Sequence, residues 1–306
     1  MKVLQLITST RTFFEAQVDE LEDRGVECTT LSVPGSYAPD EPRTPSDYLQ
    51  FVPDVLGESL EDYDLVHANY GLVGPYALAD VTTPTVLTLW GTDLMSDRGW
   101  LRALSRASAR AADEVVLPSR AMAPGLSTSY THVPFGVDTD LFAPMNRDAA
   151  REQVGWPTGE TIALFPYDTT REEKDFARAE RVCELADADV DLRPLSGVDH
   201  DEVPTYMNAS DCLLVTSKRE SGPMTVKEAA ACNVPVVSTD VGFVRDVVGD
   251  VPGCVVSDAN PDLADGLDRL AAAEHPRTNA RSTAAGVVSH AEFGDRLLDV
   301  YESALA

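Results

Sequence analysis

The 306-residue chain, 43% apolar, has enough material for two domains with separate cores. Its 51 Asp and Glu face only 24 Lys and Arg, a net charge of −27, and the sequence offers no basic stripe to neutralise phosphates, which argues against nucleic-acid binding. Five scattered cysteines without a CxxC pair, no apolar run of membrane-spanning length and a start directly in a strand point to a cytoplasmic protein.

The elements alternate along the chain. KVLQLITS reads as a buried strand, FFEAQVDELEDRG as an amphipathic helix and VECTTLSV as a second strand. The Pro-rich acidic stretch from Pro34 to Pro53 reads as a loop. LVHAN, TVLTLW and EVVLPS are further strands, separated by the helical patterns LVGPYALAD and WLRALSRASARAAD. Pro134 to Pro144 reads as a connection between domains. A second set follows: TIALFPY, a charged helix from Arg171 to Ala186, DLRPLS, CLLVTS, VPVVST and GCVVS, with a last helix over Ala291 to Leu305. This alternation predicts an α/β fold of parallel β/α units. The acids run through helices and loops alike (DELEDRG, ELADADVDL, ANPDLADGLDRL), a pattern that suits a high-salt cytosol. At molar salt the screening length falls to about 3 Å and self-repulsion is damped.

Chemistry concentrates after CLLVTS, in Glu220-SGPMTVK-Glu228 followed by AAACNVPVVSTDVG. Ser221 or Gly222 can cap a helix there, Pro223 loses nothing by lacking an N–H, and Asn233 suits a left-handed helix end before Pro235. Main-chain N–H groups around Met224 and Thr225 would face a diphosphate at the carboxyl edge of a parallel sheet. Glu220 would lie at the mouth, and Glu228, inside the helix, could accept hydrogen bonds from a ribose diol. A surface helix with two solvated glutamates has the same spacing. In TTREEKDFARAE, Arg171 and Lys174 can share one face and meet phosphate oxygens, or simply pair with Glu172, Glu173 or Asp175. In WGTD, Trp90 could stack on a sugar face or pack in a core, Gly91 and Thr92 offer N–H groups and Asp93 a carboxylate. His67 ends a buried strand, where a structural hydrogen bond is the commoner role. Arg11, in STRTFF, is a phosphate-binding candidate outside the catalytic set. Asp138-Thr-Asp140 and the alternating Asp187, Asp189 and Asp191 read as surface acids, no Cys/His spacing suggests zinc, and no metal site is expected.

These strings, with DLVHANYG, VLTLWGTDL, VVLPSRAM, VPFGVDTDLFAP and MNASDCLLVTS in the same order, resemble the retaining glycosyltransferases of family 4, formerly group 1. The resemblance covers nearly the whole chain. It implies a GT-B fold, two Rossmann-like β/α/β domains facing a central cleft. The acceptor domain would span 1–138, the donor domain 139–290, and a terminal helix over 291–306 would cross back to the first. It implies transfer of a sugar from a nucleoside-diphosphate sugar to a hydroxyl of a glycan or lipid-linked acceptor, without metal or further cofactor and with peripheral contact at the inner face of the cell membrane left open. By the same resemblance Glu220, Arg171 and Lys174 form the catalytic set, while Glu228, Gly222, Pro223, Met224 and Thr225 bind the donor. His67, Trp90, Gly91, Thr92 and Asp93 would be cleft residues of the first domain. This chain departs from the family in having PYDTT for a glycine-rich loop, Trp90 where many relatives have His, and no Gly-Gly after the first strand. A nucleotide-sugar epimerase of the same fold and a non-catalytic nucleotide-sugar-binding scaffold are the alternatives.

Overall fold

The computed structural model describes every residue except Arg11, 36–44, Val81, Ser221, Ala285 and Gly286. The chain divides into two compact units, Met1–Gly136 with His290–Ala306, and Val137–Ser289.

The first unit is built on six parallel strands: β1 (Lys2–Ile7), β2 (Glu27–Ser32), β3 (Leu65–Asn69), β4 (Thr85–Thr88), β5 (Glu114–Leu117) and β6 (Thr131–His132). They lie in the order β2-β1-β3-β4-β5-β6. β3 and β4 are buried along their whole length, as both faces of a helix-covered parallel sheet must be. The helix His290–Ala304 packs against the helix Thr12–Asp23, where Arg24 donates to Asp295 at 2.7 Å. Much of the stretch expected to be a loop is helical: Pro45–Gly57 forms a helix with Pro53 inside it. Phe51 and Val55, one turn apart and buried, offset the hydrogen bond that Pro53 cannot donate. The remainder of that stretch includes 36–44, which lie outside the described residues.

The second unit carries five parallel strands: β7 (Thr161–Phe165), β8 (Val190–Pro194), β9 (Cys212–Val215), β10 (Val236–Ser238) and β11 (Val255–Val256). Their order is β11-β10-β9-β7-β8. The expected helix from Arg171 is broken in two. A single 3-10 turn, Glu172–Lys174, precedes the helix Phe176–Leu185, with Asp175 between them at φ +52. Thr216 Oγ1 donates to the carbonyls of Lys174 and Asp175 at 3.2 and 3.0 Å and holds this kink. Asn233 takes the expected left-handed conformation, φ +58, after the helix Met224–Ala231.

In both units the chain order of strands reverses beside the first strand, between β1 and β3 and between β7 and β9. Loops leaving adjacent strand ends diverge at such a point, and ligands of open parallel sheets bind there.

Candidate active site

The second unit's reversal point gathers the residues that sequence separates by half a domain. β7 leads into Tyr167 and on to the Lys174 turn; β9 leads into Ser217 and Glu220, then the helix Met224–Ala231. Lys174 Nζ, almost wholly buried, pairs with Glu220 Oε1, which also accepts from Ser217 Oγ at 2.9 Å. The same ammonium lies 3.9 Å from the centre of the Tyr167 ring. Burial and the Glu220 carboxylate push the Tyr167 phenol far above its ordinary range, so it stays protonated and its Oη bonds Thr225 Oγ1 at 3.1 Å. Glu228 is half-buried one turn into the helix, and burial raises its carboxyl to about 7.

Arg171 is not drawn into this cluster. Its guanidinium is half exposed and meets Glu173 Oε1 at 2.6 and 2.8 Å. An exposed pair of this kind contributes only about 0–1 kcal/mol, so exchanging the carboxylate for a phosphate costs little. Pro223, expected as the first helical residue, is instead the N-cap, so the helix starts one residue later, at Met224, and the Pro223 carbonyl accepts from Val226 N. The N–H groups of Met224 and Thr225 belong to the first turn, whose donors have no partner within a helix. Gly222 has a steric reason to be glycine, since a Cβ there would sit 2.1 Å from Phe243 Cε1. Ser221 lies outside the described residues.

Tyr167, Ser217 and Phe243 were not among the sequence candidates. Tyr167 had a usable signal: an aromatic residue at a strand end, ahead of a loop carrying two cations. Lys227 was passed over too, and it is fully buried with Nζ 4.7 Å from the Phe243 ring centre.

The first-unit candidates divide differently. His67 and Asp93 are core residues, not cleft residues. His67 is enclosed, with Nδ1 2.7 Å from Tyr301 Oη and Nε2 2.8 Å from Thr88 Oγ1, and burial lowers its pKa to about 3. Asp93 is likewise buried: Oδ2 accepts from Gly71 N and Trp90 N, Oδ1 from Gly91 N and Leu94 N. The carboxylate thus consumes the Gly91 amide that was expected to face a ligand. Gly91 itself stands at φ +114, a conformation that suits glycine. Thr92 is exposed and its Oγ1 meets Tyr70 Oη at 2.9 Å. Trp90 is half-buried against Phe13, its ring 4.7 Å away edge-on, and its Nε1 has no hydrogen-bond partner among the described residues. Arg11 lies outside them.

No group of His, Cys, Asp and Glu among the described residues has the geometry of a metal site. Asp138 Oδ1 accepts from the N–H groups of Asp140 and Leu141, ordering its own turn. No described helix is long and apolar enough to cross a membrane.

The two units correspond to two family models. Residues 6–134 match the glycosyl transferase 4-like domain, and residues 168–286 match the glycosyl transferases group 1 domain. The chain is a glycosyltransferase. Among curated relatives, the glycosyltransferase is 28% identical to D-inositol 3-phosphate glycosyltransferase 1 of Catenulispora acidiphila, over 83% of this chain and 77% of the relative. Its fold is similar to sucrose-phosphate synthase of Thermosynechococcus elongatus, with TM-score 0.80, 16% identity and 99% and 98% of the two chains covered. Anabaena HepE, solved in complex with UDP-glucose, is similar at TM-score 0.75 and 16% identity, covering 99% of this chain and all of that one. These likenesses identify the architecture as GT-B.

Proposed function

We propose that the glycosyltransferase moves a sugar, with retention of configuration, from a nucleoside-diphosphate sugar to an acceptor hydroxyl, and that the second unit binds the donor. The observation that carries this reading is the Lys174–Glu220 pair beside Tyr167, at the sheet's reversal point and beside the start of the helix Met224–Ala231. Lys174 and Arg171, with the Met224 and Thr225 N–H groups, stabilise negative charge as the bond from the anomeric carbon to the diphosphate oxygen breaks. Glu220 accepts hydrogen bonds from the donor sugar, and Glu228 from the ribose diol. The bond from the acceptor oxygen to the anomeric carbon forms on the same face, and the acceptor proton passes to the departing diphosphate. The two chain cations serve the charge-neutralising role here, and the step is written without a metal. UDP sugars are the first donors to test, since HepE was solved with one. A glycan or lipid-linked acceptor is the proposed partner, with inositol phosphate worth including because a relative bears its name.

The test is a thermal-shift titration of UDP, GDP, ADP, TDP and their common sugars, in low and molar potassium chloride, with Glu228→Ala as control. A ligand at a hundred times its dissociation constant stabilises the protein by about 2.7 kcal/mol. A selective shift that the variant loses supports the donor site and names the base. A folded sample that responds to no nucleotide overturns it. Once a donor is in hand, the anomeric configuration of the product decides retention.

A further inference from the structure

The second unit gathers another group of charges at the end of its sheet away from Lys174 and Glu220. Asp211, the residue before β9, is buried there. Its main-chain N–H donates to the Ile162 carbonyl at 2.9 Å, and its Oδ2 accepts from Ile162 N at 2.7 Å, at the start of β7. Arg151, wholly buried in the helix Arg147–Val154, gives Nη2 to Asp211 Oδ2 at 2.7 Å. Its Nη1 bonds the carbonyls of Pro157, Thr158 and Glu160 and closes the loop ahead of β7. Arg151 and Asp211 thus form a neutral pair with an evident structural task.

Two further cations lack such a task. Arg147 Nη1 meets the other oxygen of Asp211, Oδ1, at 2.6 Å. Arg277 donates to the carbonyls of Ser210, Pro276 and Asn208 and forms no ion pair among the described residues. Burial lowers its pKa to about 10; Asp211 opposes the fall, while Arg147 and Arg151 add to it. Arg147 and Arg277 line one cavity of about 200 Å³ with Met145, Asn146, Asp148 and His275. That space is several times the ~30 Å³ that a water molecule takes in the liquid. Of the six lining residues only Asp148 is acidic. Its carboxylate is half exposed and lies 3.4 Å from Arg147 Nε, a contact that contributes little. With Arg151 and Asp211 neutral as a pair, the cavity wall keeps an excess of positive charge, in a chain of net charge −27.

We propose that this cavity binds a phosphate group, either as inorganic phosphate or as part of a small phosphorylated metabolite. Guanidinium N–H donors match phosphate oxygens as a fork, and the anion answers the mutual repulsion of Arg147 and Arg277. His275 adds a ring N–H, and Met145 an apolar wall for the carbon part of an ester. Occupation ties the helix Arg147–Val154 to the segment ahead of the helix Ala280–Thr283 and so braces the unit. The cavity lies at the amino ends of β7 and β9, whereas the donor is assigned to their carboxyl ends. The inference is therefore independent of the transfer chemistry proposed above.

Titration calorimetry of the full-length protein with phosphate, and separately with glucose 6-phosphate, tests it at constant ionic strength. Saturating UDP keeps either ligand off the donor site, and Lys174→Met supplies the same control if no nucleotide binds. The expected result is saturable binding of one phosphate group per chain, unchanged in Lys174→Met. Arg147→Gln should weaken it by about tenfold or more, the cost of a charge-assisted hydrogen bond. Asp148→Asn, at an exposed position, should tighten it by up to about fivefold, because the competing carboxylate is gone. A role confined to packing predicts no such gain. Tighter binding of glucose 6-phosphate than of phosphate identifies an ester as the ligand, and equal or weaker binding identifies the free ion. A circular-dichroism melt of each variant establishes that it is folded. No binding of either ligand, loss of binding in folded Lys174→Met, displacement by an equal concentration of chloride, or affinities unchanged in both folded cavity variants would each overturn the proposal.

Discussion

The two sheets reverse their strand order in the same way, yet the ends they present at the reversal point are opposites. In the first unit that end rests on a buried network of neutral side chains. Gln17 donates to Asn69, Asn69 to Gln5 and Gln5 to Tyr301 Oη, all buried and within 3.1 Å. His67 is neutral, so Tyr301 donates to Nδ1 and Nε2 donates to Thr88, a tautomer assigned from the network. Each side chain in that line donates to the next, and Asn69 and Gln5 give a second bond to the His67 carbonyl and Cys28 Sγ. In the second unit the corresponding end holds charge: an ammonium, two carboxylates and a phenol kept protonated. The topology supplies a reversal point, where ligands of open parallel sheets bind, twice. The charged groups for which the transfer chemistry is proposed lie at the second of them.

The largest expected effect comes from removing that charge. Lys174→Met takes the ammonium from Glu220, leaving it the Ser217 hydroxyl, and removes a cation proposed to stabilise the leaving group. Turnover of donor should fall by about 10²–10³, the usual cost of losing one preorganised transition-state partner. A rate within threefold of wild type, measured on a sample with a normal melting curve, would move the catalytic assignment away from Lys174.

The first unit should respond in the opposite manner. Tyr301→Phe removes the partner of both Gln5 Nε2 and His67 Nδ1 in a dry site, at a cost of roughly 2–3 kcal/mol. Calorimetry should show lower stability with nucleotide affinity unchanged. Weaker nucleotide binding alongside normal stability would mean that this network is part of the donor site after all.

How much of this could be read from residues alone follows from the range of the interactions. Strands such as TIALFPY and CLLVTS announce themselves by local apolar runs, and the Glu220–Glu228 string by its composition. Asn233 was legible because its left-handed turn is a local property. The pairing of Lys174 with Glu220 was not, because it spans 46 residues and depends on β7 and β9 being neighbours. Asp93 was misread for a related reason: a carboxylate after a strand looks the same whether it faces a ligand or turns back on Gly71, Gly91 and Leu94. Phe51 and Val55 outweighed Pro53, a tertiary effect that local rules rank the other way.

Gly222→Ala probes the loop that separates the two glutamates. The new methyl would meet Phe243 Cδ1 and Cε1 at 2.2 and 2.1 Å, so the ring or the loop must move. Overpacking of this kind costs about 1–3 kcal/mol. The expected outcome is a modest loss of stability together with weaker nucleotide binding, because the helix start shifts with the loop. Glycine-like affinity in the alanine variant would show that the ring yields and the loop does not.

The smallest effect is also the one that separates the two ends most cleanly. Glu228 has its folded pKa raised to about 7 by burial, above its ordinary value of 4.5. Between those values the folded state binds more protons than the unfolded state, so this residue makes stability fall as pH rises through that window. Donor binding should run the other way if the ribose diol hydrogen-bonds to the ionised carboxylate, with affinity rising as pH passes about 7. Glu228→Gln should flatten both slopes at once, since an amide neither titrates nor carries the charge. His67, buried and neutral with a pKa near 3, contributes no such slope at neutral pH. Titration calorimetry with UDP at pH 6 and pH 8, wild type against Glu228→Gln, isolates Glu228, because the terminal phosphate of UDP titrates alike with both. Equal affinities at the two pH values, with wild type and Glu228→Gln indistinguishable, would remove Glu228 from the nucleotide and leave it as a buried acid of the helix.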